Sequence, residues 1–330
     1  MIISRTPLRV SFAGGGTDLP AFYLEEPGAV VSTAISRGIY ITTNRKFDSQ
    51  LRVSYSITEI VDKAQDVKHE IVRECLKYVG IGGGIEITSI SDIPSSGTGL
   101  GSSSTYTVGL LNALYAYVGK HAGPERLARE ACEIEIEILK KPIGKQDQYA
   151  AAYGGLQYIQ FNPDGSVFVD PVMCDVKTKQ RLEDRILMLY TGTTRSADNI
   201  LNEQSRNTAS DQEKKRALRK MKDLADQAKK ALESNSLDDF GRLLDEGWHL
   251  KKSLASGISN PVIDDWYDTA RKHGALGGKI LGAGGGGFLM LYAHPEQHEI
   301  ICEALPDLKR TSIQLEPQGS KIIFIEEPHH

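Results

Sequence analysis

The chain contains few of the residues that mark several classes of protein. Its 330 residues include four cysteines, which are widely spaced and form no CxxC pair. Such cysteines indicate free thiols in a reducing compartment and argue against a disulfide framework or a zinc site. No apolar run approaches the length that spans a bilayer, and in the opening MIISRTPLRV an arginine comes too early for a signal peptide. We therefore expect a cytoplasmic protein without a membrane partner.

The sequence also lacks an excess of one charge sign. The formal net charge is −4, charged residues make up 25% of the chain and apolar residues make up 40%. These values are typical of a globular protein. They give no indication of the basic surface that binds nucleic acid. A chain of this length accommodates two domains and a large core.

The order of the apolar patterns favours a mixed architecture. Runs of β-branched residues bounded by glycine predict strands, and apolar residues spaced three and four apart predict helices. The two kinds of segment do not alternate regularly, which favours an α+β fold in two parts that meet between residues 170 and 190. The predicted strands are 8–14, 28–47, 84–91, 154–161, 185–192 and 320–327. The predicted helices are 69–80, 103–118, 123–139, 211–234, 237–255, 261–274 and 295–305, and the glycine-rich stretch 277–293 precedes the last of them.

The stretch DIPSSGTGLGSSSTYTVGLLNAL places glycines and many hydroxyl side chains directly before a predicted helix. Glycine lets the backbone approach a ligand closely, and the N-terminus of a helix binds anions through its unpaired N–H groups. Serine hydroxyls can reach phosphate oxygens or a hard cation. The stretch therefore predicts a site for a nucleoside triphosphate with Mg²⁺, although it lacks the lysine of a Walker A loop. A serine-rich helix cap on a flexible loop is the alternative.

A second glycine-rich stretch, PLRVSFAGGGTDLP, ends a predicted strand with three glycines and then Asp18. A carboxylate at this strand end is a candidate for binding the hydroxyl groups of a ligand. The alternative is a glycine turn in which Asp18 caps the backbone.

The third glycine-rich stretch, KILGAGGGGFLMLY, satisfies the pattern GxGxxG with Gly282, Gly284 and Gly287. In a dinucleotide-binding turn that pattern is followed by a helix, but here FLMLY is strand-like. A glycine loop between two strands near a ligand fits better, and a plain hairpin is the alternative.

Two acidic residues between these stretches are candidates for chemistry. On a regular helix Glu135 would share the apolar face with Ile138, whereas Glu133 and Glu137 would point away. A buried carboxylate is costly unless it is paired or binds a cation, so Glu135 is a candidate metal ligand, with a half-exposed surface glutamate as the alternative. Asp147 follows a Pro-Ile-Gly turn among lysines. It could accept a proton from a substrate hydroxyl or orient that group, and a turn-capping aspartate is the alternative.

Together, and in this order, the three stretches resemble the motifs of the GHMP kinases, which include galactokinase, homoserine kinase, mevalonate kinase and phosphomevalonate kinase. PLRVSFAGGGTD resembles the first motif, PSSGTGLGSSS the phosphate-binding second motif and LGAGGGGF the third. RTPLRVSFAGGGTDLP, PIGKQDQYAAAYGG and TGTTRSA give a closer likeness to bacterial D-glycero-D-manno-heptose 7-phosphate kinases and to fucokinase domains. Gly15-Gly16 stands where galactokinase has Glu-His, which argues against galactokinase itself.

The resemblance implies an α+β GHMP kinase fold. Its N-terminal domain would be like domain 2 of ribosomal protein S5, and its C-terminal domain would be ferredoxin-like. We place the ATP-binding N-terminal domain at 1–180 and the C-terminal domain at 181–330. ATP and a sugar would then meet in the cleft between the two domains.

The resemblance also implies roles for residues at matching positions. Asp147 would act as the base or orient the hydroxyl, and Arg9 would pair with it and keep it ionised. Ser103 and Glu135 would bind Mg²⁺. The residues expected to bind ATP are Pro94, Gly97, Gly99, Leu100, Gly101, Ser102, Ser103 and Ser104, and those expected to bind the sugar are Asp18, Gly15, Gly16, Thr17, Lys145, Arg195, Gly284 and Gly285.

The implied reaction transfers a phosphoryl group from ATP to the anomeric hydroxyl of a heptose 7-phosphate, on the route to a nucleotide-activated heptose. A phosphate already on the sugar needs its own cations. The candidates are Arg195 beside Thr193 and Thr194, together with Lys145 and Lys279, and a solvated surface position is the alternative for each basic residue. Other readings are a fucokinase-like enzyme for an unphosphorylated sugar, a decarboxylase of the same fold and a non-catalytic sugar sensor. The oligomeric state stays open, with a homodimer as one option.

Overall fold

The computed structural model describes residues 1–94, 97–193 and 197–326. The strands of these residues form a sheet of eight strands and a sheet of four. The strands are β1 (Ile2–Ala13), β2 (Gly28–Arg45), β3 (Leu51–Ser54), β4 (Thr58–Val61), β5 (Ile85–Ser91), β6 (Leu156–Phe161), β7 (Val167–Pro171), β8 (Ile186–Tyr190), β9 (Ala275–Ile280), β10 (Phe288–Ala293), β11 (Lys309–Thr311) and β12 (Lys321–Ile325).

The helices lie between these strands without regular alternation, and the expected α+β class is confirmed. They are α1 (Pro20–Tyr23), α2 (Glu70–Val79), α3 (Ser102–Tyr117), α4 (Pro124–Cys132), α5 (Gln146–Tyr153), α6 (Val176–Asp184), α7 (Asp198–Ser210), α8 (Gln212–Glu233), α9 (Leu237–Lys252), α10 (Pro261–Lys272) and α11 (His298–Ala304). In the described part of the chain, no helix is both long and apolar enough to cross a lipid bilayer.

The larger sheet has the strand order β12-β1-β2-β5-β3-β4, and β6 also pairs with β2 and with β7. Neighbouring strands are antiparallel except β3 and β5, which are parallel. Helix α3 packs across β1 and β2. Nearly every residue of α3 is buried, because its sequence is apolar or small on all sides. This burial fixes the N-terminus of α3 relative to β1.

The smaller sheet has the strand order β11-β8-β10-β9 and is antiparallel throughout. Helices α9 and α10 pack on β9, and α8 packs on α9. Edge-to-face aromatic contacts join the two sheets: the ring centroids of Phe12 and Phe240 are 5.3 Å apart, and those of Phe240 and Tyr292 are 5.4 Å apart. Such pairs stabilise a packed interface. The glycine-rich stretches of both halves are therefore held close together.

Strand pairing divides the chain between β7 and β8, since β1 to β7 belong to the larger sheet and β8 to β11 to the smaller. The boundary at 180/181 falls inside α6 and remains a prediction. Strand β12, which lies in the expected C-terminal domain, returns to the larger sheet and pairs with β1. Residues 321–325 therefore belong to the predicted C-terminal domain but lie in the larger sheet, whose other strands come from the predicted N-terminal domain.

The helix predicted for 123–139 is regular only as far as Cys132. It continues as a π-helical turn, Glu133–Ile138, in which Leu139 N–H donates to Ile134 O at 2.9 Å. This i to i−5 bond makes the turn wider than that of an α-helix. The wider turn changes the direction of the side chains, so Ile138, which was expected on the apolar face, is 44% exposed.

Candidate active site

A cavity of about 560 Å³ lies where the three glycine-rich stretches meet. Its walls come from β1, the start of α3, the turn before α5, the start of α7 and the loop between β9 and β10. The predicted site residues that line it are Arg9, Gly15, Gly16, Asp18, Gly97, Gly99, Gly101, Ser102, Ser103, Ser104, Asp147 and the candidate phosphate-binding Lys279.

The loop before α3 turns through glycines in the left-handed region. The φ angles of Gly97, Gly99 and Gly101 are 69°, 79° and 76°, which any larger residue would adopt only under strain. Between Gly97 and Ser104, no backbone N–H donates a hydrogen bond to an acceptor in the described part of the chain. A row of unpaired N–H groups at the start of a helix is suited to bind an anion.

The third glycine-rich stretch supports this loop from behind. A Cβ atom on Gly282 would lie 2.5 Å from Gly99 Cα, and one on Gly287 would lie 2.5 Å from Thr98 O. The absence of side chains therefore lets the loop between β9 and β10 pack backbone against backbone on the loop before α3. Its glycines position the loop before α3, which is a role that the pattern GxGxxG alone does not reveal.

Four of the described residues that were predicted to bind the sugar do not line the cavity. Gly284 and Gly285 lie against Ile258, and Gly285 N–H donates to Ile258 O at 3.0 Å. The neighbouring Gly282 and Ala283 line the cavity instead. The third is Thr17, which is buried and donates through Oγ1 to Gly14 O at 2.8 Å, so it holds the turn of the first motif.

Other predicted residues are also placed elsewhere. Lys145, the fourth of these sugar-binding predictions, donates through Nζ to Gly165 O at 3.0 Å outside the cavity. Pro94 is exposed, Leu100 is buried, and neither residue lines the cavity. Leu100 nevertheless connects the loop to β1, because its backbone O accepts a hydrogen bond from Arg9 N at 3.2 Å. Arg195 lies outside the described residues, as does Thr194.

Asp147 and Arg9 form a two-point ion pair in the cavity wall. Arg9 Nε donates to Asp147 Oδ1 at 2.8 Å and Arg9 Nη2 donates to Asp147 Oδ2 at 2.7 Å. The arginine side chain is 4% exposed, whereas the aspartate remains 23% exposed to the cavity. A Cβ atom on Gly101 would lie 3.2 Å from Asp147 Oδ2, so this carboxylate is next to the N-terminus of α3. The pair holds an accessible carboxylate beside the glycine loop before α3.

Asp18 is buried and is held by amides. Its Oδ1 accepts from Gly16 N at 2.9 Å and from Gln146 Nε2 at 3.1 Å, and its Oδ2 accepts from Gln146 N at 3.3 Å. Burial raises the pKa of the Asp18 carboxyl, and the charge of Asp147 raises it further. A Cβ atom on Gly144 would lie 1.9 Å from Asp18 Oδ2, so only glycine leaves room for the carboxylate there.

Two polar side chains beside Asp18 were missed from the sequence. Ser11 Oγ and Gln146 Oε1 are buried, line the cavity and have no hydrogen-bond partner among the described residues. Buried polar atoms without a partner are uncommon and indicate that something else satisfies them. Ser11 lies within a buried strand, where the sequence gives no sign of a binding role. Gln146 belongs to no recognisable motif, and only its position next to Asp147 in the sequence could have indicated a role.

Glu135 is fully buried without a cationic partner in the described part of the chain. Its Oε1 accepts from Ser103 Oγ at 2.8 Å and its Oε2 accepts from Gln148 Nε2 at 2.7 Å. Burial raises the pKa of its carboxyl. Gln148 Oε1 has no hydrogen-bond partner in that same part. These oxygen atoms suit a hard cation such as Mg²⁺, which proteins hold with one or two carboxylates while substrate phosphates and water complete the shell.

Comparison with known proteins gives two family matches. Residues 65–155 match the model described as GHMP kinases N terminal domain, and residues 228–309 match GHMP kinases C terminal. The D-glycero-alpha-D-manno-heptose 7-phosphate kinase of Campylobacter jejuni is 31% identical over 319 residues, which cover 92% of this chain and 93% of that protein.

Two further relatives agree with this placement. A crystal structure of a D-glycero-D-manno-heptose 1-phosphate kinase from Bacteroides thetaiotaomicron superposes with a TM-score of 0.82 at 26% identity, and covers 99% of this chain and 100% of that one. The L-fucokinase/L-fucose-1-P guanylyltransferase of Bacteroides fragilis is 28% identical over 96% of this chain. This chain spans only 37% of that longer protein.

The fold and the comparisons define a nucleotide-dependent phosphotransferase, whose glycine loop before α3 contains no Walker lysine. The chain belongs to the GHMP kinase family, and it is an ATP-dependent kinase.

Proposed function

We propose that this kinase phosphorylates the anomeric hydroxyl of D-glycero-D-manno-heptose 7-phosphate and gives the 1,7-bisphosphate, a precursor of nucleotide-activated heptose. The observation that carries the proposal is the placement of the unpaired amides before α3 next to the Arg9-held carboxylate of Asp147, in one cavity. The resemblance to the Campylobacter jejuni heptose kinase over nearly the whole chain supports the choice of substrate.

The nucleotide side would receive the phosphates of ATP. The N–H groups from Gly97 to Ser104 and the N-terminus of α3 supply hydrogen bonds and positive potential, and both act on negatively charged oxygens. Phosphoryl transfer depends mainly on alignment and on stabilising charge, so this set of groups suits the reaction.

The acceptor side would hold the attacking hydroxyl. The sugar O1 atom forms a bond to the γ-phosphorus while the bond between that phosphorus and the β–γ bridging oxygen breaks, and the hydroxyl proton passes to a carboxylate oxygen of Asp147. Arg9 keeps the carboxylate of Asp147 in place through its two hydrogen bonds. The anomeric hydroxyl is more acidic than an ordinary alcohol, which lowers the basicity that Asp147 needs.

The ring hydroxyls would bind beside Asp18, where Ser11 Oγ and Gln146 Oε1 have no hydrogen-bond partner among the described residues. Asp18, Ser11 Oγ and Gln146 Oε1 together offer acceptors and one donor for neighbouring hydroxyl groups. Gly15 leaves space open at the cavity wall, because a Cβ atom there would meet nothing nearer than 3.7 Å. At Gly16 the space is taken by Gln204, whose Nε2 would lie 2.4 Å from a Cβ atom.

Ser103 and Glu135 are the residues that would hold Mg²⁺. Both present oxygen atoms, and the buried carboxylate of Glu135 has no cation of its own among the residues described. When it is bound, magnesium offsets negative charge on the ATP phosphates. The expected cytoplasmic location, where ATP is available and thiols stay reduced, remains part of the proposal, and the oligomeric state stays open.

The decisive experiment measures ADP release from ATP with heptose 7-phosphate, unphosphorylated heptose and L-fucose as acceptors. We expect the highest kcat/KM with heptose 7-phosphate, and phosphorus NMR of the product should show a phosphate coupled to the anomeric proton. A phosphate on any other carbon would overturn the proposal.

A fucokinase-like activity is the second candidate, because the L-fucokinase relative matches 96% of this chain. A higher kcat/KM with L-fucose than with either heptose would favour it. ADP release without any sugar counts for neither candidate and is subtracted as a blank.

A further inference from the structure

Two lysines from distant parts of the sequence meet in the cavity wall. Lys251 lies near the end of α9, Lys279 lies in β9, and both line the cavity. The two residues are only 7% and 5% exposed. Lysine is almost never this deeply buried unless it is paired with an anion. The burial of these two lysines therefore requires a physical explanation.

The protein provides few partners for the two ammonium groups. Lys251 Nζ donates to Gly282 O, and Lys279 Nζ donates to Phe12 O at 3.0 Å. Each ammonium carries three N–H donors, so two on each have no acceptor among the described residues. No described carboxylate forms an ion pair with either lysine, and the ion pairs nearest in sequence use Lys252 and Arg271 instead.

The surrounding charges do not compensate for this burial. Burial, and then the charge of Arg9, lower the pKa of Lys251 to about 8, while Asp18 and Asp147 act in the opposite direction. Burial and the charges of Lys251 and Arg9 lower the pKa of Lys279 well below its usual value, and Asp18 opposes them. Asp147 is already bound through both oxygens by Arg9. The site therefore has an excess of cationic groups.

The pair lies between the nucleotide side and the sugar side. Gly282, whose carbonyl accepts from Lys251, is in backbone contact with Gly99 of the glycine loop before α3. Phe12, whose carbonyl accepts from Lys279, lies in β1 shortly before the glycines of the first motif. A ligand that reaches both lysines is therefore adjacent to both halves of the cavity.

We propose that Lys251 and Lys279 form a phosphate-binding pair in this cavity. A tetrahedral phosphate dianion supplies both the negative charge and the acceptors that the two ammonium groups lack. It is either the γ-phosphoryl group of ATP or a phosphate already carried by the sugar. The second source, but not the first, rests on the proposed sugar phosphate substrate.

The test compares Lys251→Met and Lys279→Met with Lys252→Met. Lys252 is a matched control, because it is the neighbouring lysine and its Nζ pairs with Asp264 at 2.9 Å. Calorimetry measures dissociation constants with Mg²⁺ for the non-hydrolysable ATP analogue AMP-PNP, for ADP, and for heptose 7-phosphate and heptose in the presence of ADP. Loss of a charge-assisted hydrogen bond should weaken phosphate binding by about tenfold or more.

The ligands distinguish the two sources. Weaker binding of AMP-PNP with unchanged binding of ADP assigns the pair to the γ-phosphoryl group. Weaker binding of heptose 7-phosphate with unchanged binding of heptose assigns it to the sugar phosphate. Because these are binding measurements, either result can be read even if the protein phosphorylates no heptose. The proposal is wrong if Lys251→Met and Lys279→Met weaken the binding of AMP-PNP relative to ADP, and of heptose 7-phosphate relative to heptose, no more than Lys252→Met does.

Thermal stability separates a binding role from a structural one. Methionine fills a similar volume without burying a charge, so we expect both variants to unfold at the wild-type temperature or above it. Lys251→Arg, which retains the charge, should keep the phosphate affinity within a few-fold of wild type. A lower unfolding temperature together with unchanged phosphate affinity would establish a purely structural role.

Proton uptake provides an independent check. The groups that face Lys251 are Arg9, Asp18, Asp147 and Lys279. Since a bound dianion favours the protonated amine, phosphate binding at pH 8 to 9 should take up protons in the wild type. Lys251→Met should take up fewer, when measured by calorimetry in buffers of different ionisation enthalpy. Equal uptake by both proteins would contradict the assignment of Lys251.

Discussion

The two carboxylates on the acceptor side of the cavity are held in opposite ways. Asp147 receives two hydrogen bonds from the guanidinium of Arg9 and stays open to the cavity. Asp18 is buried, accepts hydrogen bonds from amides, and pairs with no cation in the described structure. A carboxylate with a built-in cation is fixed in orientation and can accept a proton from a hydroxyl that lies against it. A carboxylate without one needs ligand hydroxyls to replace lost hydration, and so Asp18 suits recognition.

The largest effect should come from Asp147→Asn. The amide cannot accept the hydroxyl proton, so kcat should fall by about 10²- to 10⁴-fold. Mg·ATP affinity should change little, because we propose that the loop amides, and not Asp147, bind the nucleotide. Steady-state kinetics and calorimetry measure the two quantities. Asp164→Asn, in an exposed turn, is the control, and full activity of Asp147→Asn would remove its catalytic role.

Asp18→Asn should affect the sugar more than the chemical step. Loss of a charged acceptor should raise the KM for the sugar by roughly tenfold, with a smaller change in kcat. A fall in kcat without a change in KM would place Asp18 with Asp147 and erase the distinction between the two carboxylates.

The same variant tests the pKa of Asp18. Because the pKa is raised in the folded protein, Asp18 contributes stability that is present below its unfolded pKa of about 3.9 and is lost as the pH rises through the raised value. Denaturant unfolding at pH 4 and at pH 7 measures the free energy of unfolding that is lost as the pH rises. This loss should be smaller in Asp18→Asn than in the wild type. An equal loss in both proteins would show that Asp18 titrates normally.

Glu135→Gln tests a third carboxylate, which is also buried and has no cationic partner among the described residues. Loss of its charge should raise the Mg²⁺ concentration for half-maximal activity by about tenfold. Glu137→Gln is a matched control, because Glu137 lies in the same π-helical turn but is exposed. An unchanged magnesium requirement would assign Glu135 to a structural role.

Ser103→Ala should give the smallest effect, a roughly threefold increase in the KM for Mg·ATP, since one neutral hydrogen-bonding group is lost. Ser103→Thr keeps a hydroxyl and should restore the wild-type value. If Ser103→Ala matches the wild type, the metal contact belongs to another residue.

The fold was predictable wherever a local pattern dictates it. Helix α2 begins and ends within one residue of its prediction, because Gly80 ends it with a φ of 85°. Strands β3 and β4 were missed, since each has only four residues, too few to show a period. The π-helical turn was also missed. It interrupts the period that assigned Ile138 to the apolar face, although Glu135 is buried as expected.

The site was predictable where glycines and their neighbours in sequence form it. The loop before α3 and the turn at Gly16 are such segments. Lys251 was not predictable, because it stands beside Lys252 in the sequence and the two differ only in which side of α9 packs on the rest of the protein. The role of Gly282 depends on its contact with Gly99, a residue of a distant segment, which spacing alone does not reveal.

The pairing of β12 with β1 affects how the protein folds while it is being synthesised. Ile2 pairs with Ile325 and Arg5 with Lys321, so the strand that carries Arg9 acquires its outer neighbour only when some of the last residues described have been made. At typical rates of translation, this edge stays uncovered for roughly 15–60 s after β1 is made. An unpaired strand edge attracts other chains. Nascent copies of this kinase should therefore depend on chaperones during that interval, and a chain that lacks β12 should aggregate.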